Sequence, residues 1–114
     1  MGTIAIKLNP EKLENADLDL RYLIPDRIEE VTKERVQDNG YDYSSDGTNS
    51  IIIFMTSENP EEDAITVLEI LKKEKFLEND IYKSGIIAIA DGDGEDENEY
   101  RIIHPNNYDE EFKL

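Results

Sequence analysis

The chain is expected to adopt an α+β fold, because short β-branched runs alternate with two helix-periodic segments and turn residues punctuate the boundaries. Isoleucine-rich blocks such as Ile51-Ile52-Ile53-Phe54 and Ile86-Ile87-Ala88-Ile89 are too apolar for a disordered chain, despite the high overall charge. No cysteine is present, so disulfides and thiolate metal sites are excluded and stability must come from packing. A length of 114 residues suffices for one core, and a single domain over 1–114 is expected.

Thr3 to Leu8 alternate, with Ile4, Ile6 and Leu8 on one side of a first strand that Asn9-Pro10 ends. Leu20, Ile24, Ile28 and Val31 recur at helical spacing, placing them on one face of a helix over roughly 18–33. Pro25 either kinks that helix or occupies the first position of one that begins near it. In RVQDNGYDYSSDGTNSIIIFMTS, two β-prone segments flank Ser44 to Asn49, whose Asp46-Gly47 supplies the positive φ of a hairpin; Asn39-Gly40 marks a turn or bulge before it. Asn59-Pro60-Glu61-Glu62 starts a second helix with an amide cap, a proline and first-turn carboxylates. This helix runs to about residue 75, with Ala64, Val67, Leu68 and Leu71 as its apolar face, Ile70 flanking, and Lys72, Lys73 and Lys75 at the end where the dipole favours them. Residues 84–90 read as a fourth strand and Tyr100 to His104 as a short fifth. This is the split βαβ order of a ferredoxin-like sandwich (β-α-β-β-α-β) with an extra C-terminal strand and helices on one face of a mostly antiparallel sheet. Right-handed crossovers leave an open α+β sheet of different strand order as the nearest competitor.

The formal charge is −16, from 28 acids and 12 bases. Such a surface repels phosphate backbones, so nucleic acid is not an expected partner and a basic protein is. A salt-adapted host would also explain acidity, but the abundant lysine and isoleucine argue against it. No apolar run approaches membrane-spanning length and the N-terminus lacks a signal-peptide core, so a soluble cytoplasmic protein is expected.

The stretch ADGDGEDENEY, Ala90 to Tyr100, resembles a calcium loop only superficially: registers starting at Asp91 or Asp93 put neither glycine at position 6 nor glutamate at position 12, and the flanks read as strands. A solvated hairpin tip is expected there, with no metal and no cofactor. Gly92 and Gly94 lead into carboxylates that would repel a phosphate. The single histidine, His104, has no adjacent nucleophile or orienting partner, and no serine sits in a nucleophile elbow, so the chain is not expected to be an enzyme.

Tyr41 and Tyr43 share one strand face and interleave with Asp42; they are either core or cross-strand packing, or anchors of a contact surface if both lie on the outer sheet face. From Asp91 to Leu114 there are nine acids against Arg101 and Lys113, nearly half the net charge in a fifth of the chain. A charge run is commonly just a solvated face. Tyr108 and Phe112 interleave with the second acidic segment, as in an electrostatically steered binder of a basic protein. The expected partner-binding residues are Tyr41, Tyr43, Asp91, Asp93, Glu95, Asp96, Glu97 and Tyr108.

LDLRYLIPDRIEE, QDNGYDY and EEDAITVLEILKKEKFLENDI together resemble a pattern found in small, acidic, mostly uncharacterised bacterial proteins. In size, acidity and architecture the chain is also similar to bacterial immunity proteins and toxin inhibitors. That resemblance implies an inhibitor that covers a basic toxin, and it carries over no catalytic residue. A ligand-sensing or regulatory ferredoxin-like domain, a class that often forms homodimers through sheets or helices, is the alternative expectation.

Overall fold

The computed structural model describes residues 1–106 and 112–114. Five strands, Gly2–Leu8 (β1), Val36–Tyr43 (β2), Ile51–Ser57 (β3), Ile86–Ala90 (β4) and Arg101–His104 (β5), form one sheet in the order β2-β3-β1-β4-β5. Every neighbouring pair is antiparallel. The α-helices among the described residues are Leu20–Thr32 (α1), Pro60–Lys73 (α2) and the single turn Ile81–Ser84 (α3).

β1 is the centre of the sheet and all seven of its residues are buried. Its alternation splits the interior in two. Ile4, Ile6 and Leu8 meet Ile51, Ile53, Met55, Ile87 and Ile89 under the helices, where Leu20, Ile24 and Ile28 of α1 and Ala64, Val67, Ile70 and Leu71 of α2 close the core. Each such side chain contributes about 1.5–3 kcal/mol on full burial. On the other face, Ala5, Ile52, Ala88 and Ala90 lie beneath Tyr100 and Phe112, with Phe54, Ile86, Ile102 and Leu114 around them. None of the described α-helices covers this side. The connection from β4 to β5 and the C-terminal residues do so instead.

Several local readings are corrected. α1 runs through Pro25 as one helix from Leu20, so Pro25 stands in its interior rather than at its first position. The apolar stripe continues through buried Thr32, four residues after Ile28, whereas Val31 is 40% exposed. Thr32 is tolerated there because its hydroxyl donates to the Ile28 carbonyl and accepts from the Val36 N–H. Asn59 does not cap α2 with its side chain; its amide instead donates to Glu62 at 2.8 Å. α2 stops at Lys73, and the connector before β4 forms α3, capped by Asp80 and anchored by fully buried Ile81. A four-residue helix is about one turn, which leaves no periodicity to detect.

Candidate functional site

The acidic stretch joins β4 to β5 with every acid but half-buried Glu97 exposed, yet it folds back rather than standing clear of the sheet. Thr3 of β1 donates to the Gly92 carbonyl at 2.9 Å, which fastens the root of the loop onto the α-helix-free side of the sheet. Gly94 then turns at φ +69° with the Tyr100 hydroxyl against its Cα, where any Cβ would collide. Beyond it, Asp96 caps a short 3-10 turn, Glu97–Glu99, through a capping box: its carboxylate accepts from the Asn98 N–H while Glu99 accepts from the Asp96 N–H. The D-x-x-E signature of this box is present in DENE, Asp96 to Glu99.

Folding back carries Asp93 and Glu95 across the sheet to β2 and β3. With Gly94 they border a groove of about 360 Å³, completed by Asn39, Asp42 and Tyr43 of β2, Ile52 and Phe54 of β3, and Leu114. Phe54 and Leu114 give it an apolar surface over nearly covered Ile52, and Asp42, Asp93 and Glu95 add three carboxylates. Asp42 accepts from the Tyr43 N–H at 2.8 Å and Asp93 from the Glu95 N–H at 3.3 Å, each through Oδ1. None of the three carboxylates has a cationic partner among the described residues.

The C-terminal residues fix the groove's far side. Leu114 donates its N–H to Glu97 at 3.1 Å and receives bonds at its carbonyl from the Ser45 backbone and hydroxyl. Phe112 packs on Tyr100 with ring centroids 4.9 Å apart. Lys7, only 7% exposed, donates to the Lys113 carbonyl at 2.8 Å and pairs with Asp46 at 2.6 Å. Lys7, with Thr48 and Ser44 adding hydrogen bonds, holds the Asp46 carboxyl well below the usual carboxylate range.

Tyr41 and Tyr43 stand opposite Ile53 and Ile51, residues of the helix-side core. They therefore lie on the helix side of β2 and not on the outer face. β2 is an edge strand, so the two rings remain 40% and 49% exposed. They meet edge to face at 6.0 Å. The Arg21 guanidinium sits 4.9 Å from the Tyr41 ring centre and 4.5 Å from that of Tyr22, making a row of three exposed tyrosines around one arginine. Tyr43, at the end of β2, borders both this row and the groove.

The expected residues thus separate into groups. Tyr43, Asp93 and Glu95 share the groove, and Tyr41 belongs to the aromatic row. Asp96 and Glu97 are tied to the loop and the C-terminal residues. Asp91 is exposed beside Arg101, 4.0 Å away. Tyr108 lies outside the described residues. Phe54, Arg21 and Tyr22 were not anticipated as contact residues, and Asp42, noted between the two tyrosines, was not among the expected ones. The alternation of Asp42 with the tyrosines, and of Phe54 with the helix-facing isoleucines, was a usable signal for those two. Nothing in the helical pattern of α1 points Arg21 at a strand.

His104 rests on Tyr82, with ring centroids 4.3 Å apart and Nε2 2.5 Å from the Tyr82 carbonyl oxygen. No three carboxylates or imidazoles among the described residues converge as a metal-ligating group, and none of the described helices is long and apolar enough to cross a membrane. No family model, curated protein or solved structure matches the chain.

Proposed function

We propose that this chain is a cytosolic protein-binding module that takes a basic protein partner at the β2 edge and the neighbouring acidic loop, and that it acts by binding rather than by catalysis. An immunity- or antitoxin-type inhibitor is the role that suits such a module, because covering a basic active surface needs complementary charge and a few rigid anchors. The observation that carries this reading is the juxtaposition at one edge of three exposed tyrosines and Arg21 with Asp42, Asp93 and Glu95, carboxylates that lack a cationic partner among the described residues. Tyrosine and arginine are enriched at interface hot spots, and acids at the rim select partners and accelerate encounter. Within the same reading the scaffold is a ferredoxin-like sandwich. The order β2-β3-β1-β4, the antiparallel neighbours and the two longer helices packed on one face support it, with β5 added beside β4.

The test is capture of partners from the native host on the immobilised chain, followed by association kinetics with whatever is retained. A basic protein is expected, with an association rate that falls at least about tenfold between low salt and about 0.5 M salt. Retention only of neutral or acidic proteins, or a rate indifferent to salt, would overturn the reading.

A further inference from the structure

Resting on that reading, we infer that the groove bordered by Asp42, Asp93, Glu95, Ile52 and Phe54 receives one arginine or lysine side chain of the partner. The groove combines two requirements of such a side chain that are seldom met together on a surface. A basic side chain has an apolar stem and a charged head, and it binds best where the stem covers hydrocarbon while the head meets carboxylates. Half-buried Phe54 and Leu114 supply the hydrocarbon, with nearly covered Ile52 beneath them. Phe54 is only partly covered, although its strand neighbours Ile53 and Met55 are fully buried. Its ring also offers a π face, which attracts a cation within about 6 Å.

The charge selects this occupant over others. Asp42 and Asp93 each commit one oxygen to a backbone N–H, which orients the carboxylate and leaves Oδ2 without a partner among the described residues. Glu95 is exposed and its carboxylate enters no ion pair among the described residues. Three carboxylates beside an apolar surface repel an anionic ligand and offer a neutral one no Coulombic attraction. A volume of about 360 Å³ lies at the small end of ligand pockets, which run to about 300–1,000 Å³, and suits one extended side chain better than a folded element.

The acidic loop is held in place independently of any ligand. Its fastening to Thr3, the Gly94 turn against Tyr100 and the Asp96 capping box hold Asp93 and Glu95 over β3. A preformed pocket of this kind lowers the ordering cost on binding.

The experiment titrates the isotopically labelled full chain with four probes and follows backbone amide shifts: the acetylated amides of arginine, lysine, citrulline and norleucine. The two cations are expected to shift Asn39, Asp42, Gly94 and Glu95, while citrulline and norleucine leave them in place. Asp42→Asn and Glu95→Gln should each weaken the cation about two- to fivefold, with an unchanged melting temperature. Shifts scattered over the whole acidic surface, equal responses to arginine and citrulline, or variants that titrate like the parent would each overturn the assignment. Failure of the probes alongside a salt-sensitive protein partner removes the groove and leaves the binding module. Groove-localised shifts from a chain that captures no basic protein do the reverse.

Discussion

Lys7 is nearly as buried as the isoleucines beside it, and Asp46 is what makes that possible. Asp46→Asn leaves an almost covered ammonium without its counter-charge; because the carboxylate is partly open to water, a loss of about 1–2 kcal/mol is expected at neutral pH by chemical denaturation. The Asp46 carboxyl titrates lower when folded than when unfolded, so its contribution is complete above the unfolded value near 3.9 and fades as pH falls toward the folded one. Parent and variant should therefore draw together as pH falls from about 4 toward the folded value, and a gap that does not narrow below about pH 4 would contradict the pairing. Tyr100 behaves in the opposite sense. Burial, with Glu99 and Asp93 nearby, pushes its phenol up to about 12, and its hydroxyl is covered without a hydrogen-bond partner among the described residues. Its stabilising contribution is present below the unfolded value of about 10 and is lost as pH rises toward about 12. Tyr100→Phe should leave neutral-pH stability within about 1 kcal/mol of the parent and remove that alkaline loss. A larger drop at pH 7 would show that the hydroxyl is bonded after all.

The element that decides the site is the connection from β4 to β5. It combines structural carboxylates with unpaired ones, and the two kinds should separate on mutation. Asp96→Ala removes the cap of the 3-10 turn and is expected to cost about 1 kcal/mol, whereas Glu95→Gln should leave stability unchanged and slow association with a basic partner. Equal effects of the two variants in both assays would dissolve the distinction. The β2 edge shows similar economy. The N–H groups of Asp38, Gly40 and Tyr43 are bonded to the carboxylates of Glu29, Asp38 and Asp42, and the ladder breaks between Asp38 and Tyr41, where Gly40 turns at φ +91°. An edge whose donors are already occupied is a poor template for another strand, so side chains rather than added β pairing are what this edge offers a partner.

For the molecule as a whole, a net charge of −16 on 114 residues opposes compaction. Moderate salt screens this repulsion, and the unfolding midpoint is expected to rise between low ionic strength and about 0.3 M sodium chloride, by more than an added neutral osmolyte of equal molality achieves. A midpoint that falls with salt would mean that the few ion pairs outweigh the repulsion. The same ions should slow association with a basic partner. Salt is therefore expected to stabilise the protein while weakening its proposed function.

Period and punctuation determined the elements: alternation in Thr3–Leu8, helical spacing in Leu20–Ile28, and Asn-Pro and Asp-Gly turns placed five strands and two helices near their observed positions. They could do so because local backbone geometry imposes repeats of 2 and 3.6 residues whatever the chain later packs against. Tertiary structure alone decided which face each tyrosine occupies, that the acidic loop lies back across the sheet, and that Asp42 of β2 comes beside Asp93 and Glu95. Those outcomes depend on strand register, on the bulge at Gly40, and on a buried tyrosine that closes against a glycine six residues earlier, contacts between segments whose sequence spacing carries no period.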